Sequence, residues 1–215
     1  MLGAYRVLDL TDERGQLAGQ LLAFLGAEVI LVEPPGGSSA RRVGPFVAGA
    51  DPDSGDASLF FWSYNRGKRS VVADLETEEG RDALRRLAAG ADVVLESAGP
   101  GRMAALGLGP DDLAVLNPAL VTVSISAFGG DGPKAGWQAT DLTVLAAGGQ
   151  MSLTGDDDRA PLRVGVPQAF HHAAADAAGA ALIALYEREH HSGLRQHVDG
   201  SAQQSVLQAA QSMML

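Results

Sequence analysis

The longest helical stretch in the sequence, Gln168 to Glu189, is rich in alanine and leucine, and before Glu187 it carries a single acid, Asp176. His172 lies four residues earlier on the same helical face, where an imidazole and a carboxylate can meet. An aspartate buried in such a helix demands a partner or a purpose. Two readings stand: a structural Asp–His contact, or a catalytic site built on Asp176 and His172. Adjacent His171 points elsewhere, so a two-histidine metal site is not expected. Asp156-Asp157-Asp158 is a second temptation, but three consecutive carboxylates point in different directions, and a solvated loop is expected there instead of a metal.

These side chains need a frame, and the alternation of apolar runs supplies one. Tyr5–Leu10 reads as a strand, Gly15–Phe24 as a helix, and Ala27–Val32 as a second strand buried on both faces. Pro34-Pro35-Gly36-Gly37 ends that strand, because proline cannot donate to the ladder and glycine tolerates any turn. Residues 43–55 read as an irregular loop, and Ser58–Trp62 as an aromatic core wedge beneath it. Further strands are expected over Val71–Leu75, Asp92–Glu96, Leu120–Ile125 and Gln196–Asp199. Helices are expected over Thr77–Leu87, in a short piece ending at Leu106, and over Asp111–Leu116, Thr140–Ala147, Gln168–Glu189 and Ala202–Leu215. The pattern predicts an α/β fold, a Rossmann-like doubly wound parallel sheet. Ligands of such sheets sit outside the carboxyl ends of the strands, here beside Thr11-Asp12-Glu13-Arg14 and Arg41-Arg42. No glycine or proline closes the last helix, so the chain reads as though cut there.

Composition removes several functions. Hydrophobic residues make up 46% of the 215 and charged residues 20%, the balance of a globular chain with a core. The net charge of −10 and the lack of a basic stripe argue against nucleic-acid binding. The chain has no cysteine, which excludes disulfides and thiolate chemistry and suits the cytoplasm. Met1–Arg6 does not open a signal peptide, and the longest apolar stretch, Ala173–Tyr186, is too short to span a bilayer, so no membrane partner is expected. No G-x-G-x-x-G follows the first strand, so a dinucleotide oxidoreductase lacks its fingerprint.

Val7-Leu8-Asp9-Leu10-Thr11, Leu21 to Ile30 and Val32-Glu33-Pro34-Pro35-Gly36-Gly37 with Arg42 together resemble the opening of the family III CoA-transferases. This CaiB/BaiF type also includes carnitine CoA-transferase, formyl-CoA transferase and α-methylacyl-CoA racemase. Asn65 to Ser70, Gly99-Pro100-Gly101, Leu116-Asn117-Pro118, Val123 to Gly129, Ser152 to Gly155, Val164 to Pro167 and Gln196 to Asp199 continue the resemblance in the right order. It implies the N-terminal half of a longer chain. Residues 1–190 would be a Rossmann-like CoA-binding large domain, and 191–215 a strand and helix leading towards a missing C-terminal part. It also implies a homodimer of interlocked rings, or completion by a second chain.

The resemblance implies coenzyme A or an acyl-CoA as substrate beside a small carboxylic acid, with no metal. The CoA-binding positions fall on Arg42, whose forked guanidinium suits phosphate, on Ala73-Asp74-Leu75 near the adenine, and on Ser97-Ala98-Gly99. Arg102 lies about one turn before Ala105, where some members carry an arginine. The family's nucleophilic aspartate, three residues after the proline, falls on Phe170, which cannot attack a thioester. The leading expectation is therefore an acyl-CoA:carboxylate CoA-transferase with its nucleophile displaced to Asp176. The alternatives are a non-catalytic CoA-binding or dimerising subunit, and an acyl-CoA racemase.

Overall fold

The computed structural model describes residues 1–211 and contains six parallel strands: β1 Arg6–Leu10, β2 Glu28–Glu33, β3 Arg69–Val72, β4 Val93–Glu96, β5 Val121–Ser126 and β6 Gln196–Ser201. They pair in the order β3-β2-β1-β4-β5-β6. The winding thus reverses between β1 and β4, and a crevice opens beyond their carboxyl ends. This is the doubly wound α/β sheet expected from the sequence. The helices are α1 Gln16–Phe24, α2 Leu59–Asn65, α3 Glu78–Ala88, α4 Arg102–Ala105, α5 Pro110–Leu116, α6 Asp141–Ala147, α7 Ala169–Glu187 and α8 Ala202–Ala209. The last helix was expected through Leu215; residues 212–215 lie outside the described part.

Strand alternation decides what each face buries. Val7, Val29 and Val93 pack under α1, α6, α7 and α8, whereas Leu8, Val32 and Val94 pack under α3, α4 and α5. Alanines at 173, 174, 177, 178, 181 and 184 let α7 lie close on the sheet. The aromatic segment divides: Phe61 is buried against Leu31 and Ala40, while Trp62 faces outward. β3 ends at Val72, earlier than expected, because Asp74 begins a turn. Its carboxylate accepts from the Glu76 N–H (3.0 Å) and its carbonyl from the Thr77 N–H (3.0 Å). Thr77 then caps α3 by accepting from the Gly80 N–H, and acids open the helix while arginines close it. Gly80 is obligatory there, since a Cβ would sit 1.9 Å from the Asp74 carbonyl oxygen.

An ion pair at the centre of the molecule fixes how β1 meets the segments around it. Lys68 Nζ donates to Asp9 Oδ2 (2.7 Å), to the Gln16 carbonyl (2.7 Å) and to Asn65 Oδ1 (2.9 Å), so all three ammonium protons are matched. Asp9 Oδ1 accepts from the Thr11 N–H and hydroxyl, and the two charged side chains are 0% and 1% exposed. Gly19 leaves the space: a Cβ there would lie 2.1 Å from Asp9 Oδ2. A second cluster holds the end of β2. Glu33 accepts from Arg41 (2.6 and 2.8 Å), the Ser38 N–H (2.9 Å) and the Ser70 hydroxyl (2.6 Å). Burial alone would push the Glu33 carboxyl up, but Arg41 and the other donors outweigh it and hold it at about 2.

Two outcomes follow for stability. Lys68→Met strands the Asp9 charge, and chemical denaturation should report a loss of about 3–5 kcal/mol; a loss below about 1 kcal/mol, the range of a surface pair, would contradict the role given to it. Glu33 is depressed on folding, so its contribution is complete above the ordinary carboxyl value of 4.5 and vanishes as pH falls towards about 2. Glu33→Gln should therefore flatten the acid limb of a stability–pH curve in that window, which a urea series from neutral to acid pH would test.

Candidate functional site

At the β1–β4 switch point the chain ties itself together with polar groups. The Asp12 N–H donates to Ser97 Oγ, whose hydroxyl donates back to Asp12 Oδ1, both at 3.0 Å. Arg14 grips the Asp12 carboxylate through Nε and Nη2 (2.5–3.0 Å) and donates to the Ser97 carbonyl at 2.8 Å. This carboxylate holds the Arg14 guanidinium above its ordinary value, against the opposing effect of burial. Ser97, expected to meet CoA, is buried and committed to this knot.

On the β2 side of the knot lies a cavity of about 240 Å³ between the β3–α3 turn and the β4–α4 loop. Ala73, Asp74, Leu75, Ala98 and Arg102 line it, with Val32 and Met103 as its apolar floor. Five of the residues expected to contact CoA thus meet at one place, though they are widely separated in sequence. Arg102 forms an ion pair with Glu76, which lines the same cavity. Arg42 stands at the β2 edge, exposed, donating to the Gly36 carbonyl at 3.2 Å. It has no acidic partner among the described residues, whereas neighbouring Arg41 is consumed by Glu33 and Asp56 and stacks on Phe61, 3.9 Å from the ring centroid. The Arg-Arg pair is therefore one structural arginine and one available cation.

On the other side of the knot is a cavity of about 340 Å³ at the head of α7, lined by Arg14, Gly99, Ser126, Trp137 and Phe170 among others. Gly99, expected at the CoA site, faces this space. Asp141 positions Phe170: its Oδ1 accepts from the Ala169 N–H at 2.9 Å, fixing the first residue of α7. Phe170 is 5% exposed, and no aspartate or glutamate lines this cavity among the described residues.

The premise of a buried acid in α7 is corrected by the structure. Asp176 is exposed, because it falls on the helix face opposite the alanines that pack on the sheet. It lines a separate groove with Gly179, Ile183 and Gln204. The half-buried His172 ring has no hydrogen bond to Asp176, and neither residue lines the cavities beside Arg14 or Ala73. The sequence placed Arg14 at the ligand edge of the sheet, after the first strand, but gave it no role, and Trp137 carried no signal. Lys68 was missed; an acid within the apolar Val7–Leu10 strand was the clue to its partner.

The two arginines should separate experimentally. Arg42→Gln should weaken coenzyme A binding about tenfold, the worth of one charge-assisted contact, and leave the melting temperature unchanged. Arg41→Gln should lower the melting temperature. Calorimetry with coenzyme A and a thermal melt on both variants would check this; equal effects would contradict the assignment.

The family model described as CoA-transferase family III matches residues 2–215. The chain is 41% identical to the succinyl-CoA:(R)-benzylsuccinate CoA-transferase subunit BbsE of Thauera aromatica, over 91% of this chain and 47% of that protein. It is 42% identical to the succinate–glutarate CoA-transferase of Agrobacterium fabrum, over 92% of this chain and 50% of that one. A CaiB/BaiF family protein from Brucella suis superposes with a TM-score of 0.90 at 36% identity, covering 98% of this chain and 55% of the other. The chain spans about half the length of the curated relatives it matches. With the family model matching residues 2–215 and the fold superposing on a CaiB/BaiF family protein over 98% of the chain, the chain belongs to CoA-transferase family III.

Proposed function

We propose that this chain is a CoA-binding subunit of an acyl-CoA:carboxylate CoA-transferase, and that the attacking carboxylate belongs to a second chain. The observation that carries this is the cavity at the head of α7: Phe170 stands where the family's aspartate falls, and among the described residues the lining holds no carboxylate. In the transfer itself, a carboxylate adds to the thioester carbonyl and expels CoA thiolate, leaving a mixed anhydride. The thiolate then attacks the enzyme-side carbonyl of the anhydride, releasing the first acid and leaving an enzyme thioester, from which CoA passes to the second acid by the reverse steps. An aromatic ring can begin none of this. What the chain retains is the binding half of the task. Ala73-Asp74-Leu75 and Ala98 offer backbone and apolar contacts for an adenine, and Arg42 offers charge for a phosphate, whereas Arg102 must first give up its ion pair with Glu76 to do so.

The displaced-nucleophile reading is less well supported, because Asp176 faces a groove that Arg14, Phe170 and the Ala73–Leu75 turn do not share. One relative's name describes it as a subunit, which fits a two-chain assembly. Other relatives act with succinate, glutarate or oxalate by their names, and none of these acids is assigned to this chain.

Intact-mass spectrometry after incubation with an acyl-CoA tests the reading. An adduct with the mass of the intact acyl-CoA should appear under native conditions, vanish on denaturation, and be unchanged in Asp176→Ala. An adduct that survives denaturation and is lost in Asp176→Ala would overturn the proposal in favour of a relocated nucleophile.

A further inference from the structure

The cavity at the head of α7 is selective in composition, whichever chain supplies the attacking group. Phe170 and Trp137 give it aromatic walls, Ala127, Ala135 and Ala139 keep it wide, and Arg14 is its single charged lining residue among the described residues. Arg14 is held by the Asp12 carboxylate and the Ser97 carbonyl through Nε and Nη2, so its orientation is set before any ligand arrives. Its Nη1 has no partner among the described residues, and the guanidinium carbon stands 6.0 Å from the centroid of the Phe170 ring. A fixed cationic N–H edge beside an aromatic face suits a carboxylate attached to an apolar body.

Trp137 supports the same conclusion from the other wall. It is 61% exposed, unusual for so large an aromatic, yet it is not loose. Its ring meets Phe128 edge-on at 6.2 Å, and the Lys134 ammonium stands 5.8 Å from both ring centroids. The indole is thus held at the cavity mouth without being used by the core. Size agrees as well. An apolar cavity of about 150 Å³ accepts benzene, so about 340 Å³ has room for a ring, a short linker and a carboxyl group.

We infer that this cavity takes an aryl-substituted carboxylic acid, free or as its CoA thioester. The carboxyl or thioester carbonyl oxygen accepts from Arg14 Nη1, and the ring lies against Phe170 and Trp137. The ligand's role as a substrate rests on the CoA-transferase reading above; its chemical class rests on the cavity. Replacement of a carboxylate by Phe170 is then more than a loss, because the ring forms part of the pocket wall. Short acids such as acetate can reach Arg14 but leave the exposed Trp137 ring in contact with water.

Calorimetry on the full chain, with hydrocinnamate and acetate as probes and coenzyme A titrated separately, tests this. Hydrocinnamate should bind at least about tenfold more tightly than acetate. Trp137→Ala, at an exposed position where folding is not at stake, should abolish most of that preference and leave acetate unchanged. Arg14→Gln should weaken both acids. If coenzyme A binds but the two acids bind alike, or if Trp137→Ala leaves the preference intact, the inference is overturned and the transferase reading survives. If coenzyme A itself does not bind, the transferase reading falls with it.

Discussion

The buried contact between Asp9 and Lys68 is the constraint on which the rest of the architecture depends. Two charges inside a protein are tolerated only when they are paired and hydrogen-bonded, and here all three ammonium protons and both carboxylate oxygens find partners. The consequence is geometric. Lys68 draws the segment ahead of β3 against α1, and Asp9 fixes the turn at Thr11 from which Asp12 and Arg14 project. Gly19 and Gln16 are shaped around the same pair: one yields space to the carboxylate, and the other carries the carbonyl that receives the ammonium. The functional edge of the sheet is thus organised from beneath, by residues that touch no ligand.

Above that base, the edge divides into two neighbouring spaces separated by the Asp12–Arg14–Ser97 knot. One is smaller and largely apolar, walled by the β3–α3 turn and the β4–α4 loop. The other is larger, with aromatic walls and one fixed guanidinium. The β4–α4 loop serves both, since Ala98 lines each and Gly99 lines the second. A long ligand with a nucleotide at one end and an acyl group at the other is the kind of molecule such a division accommodates. Acyl transfer needs a nucleophile in the second space, and Phe170 provides a ring in its place.

Much of the fold was legible because it depends on patterns that sequence expresses directly. Val-Ile-Leu-Val at 29–32, followed by two prolines and two glycines, can hardly be other than a buried strand and its end. Thr77-Glu78-Glu79 ahead of two arginines announces a capped helix. The site was less legible, for a physical reason. Ala73-Asp74-Leu75 and Ala98 would act by position, so side-chain chemistry carries no signal for them, and only the family resemblance pointed to that stretch. Arg41 and Arg42 are equivalent in sequence, and Glu33, eight residues from Arg41, decides which one is spent. Asp176 misled because an acid among alanines reads as buried, whereas helical periodicity also leaves small residues on the outward face. Arg14 and Trp137 are brought to one cavity by the sheet winding, which no local pattern records.

On the proposed function, the nucleotide end of acyl-CoA lies at the carboxyl ends of β3 and β4, away from Asp176. Hydrogen–deuterium exchange with and without coenzyme A measures that location directly. Protection should appear in peptides covering Ala73–Glu76 and Ala98–Met103, with no change over Ala175–Ile183. Protection confined to Ala175–Ile183 would contradict the account, because it would put the ligand in the groove of Asp176 and leave the strand-end cavity without a role.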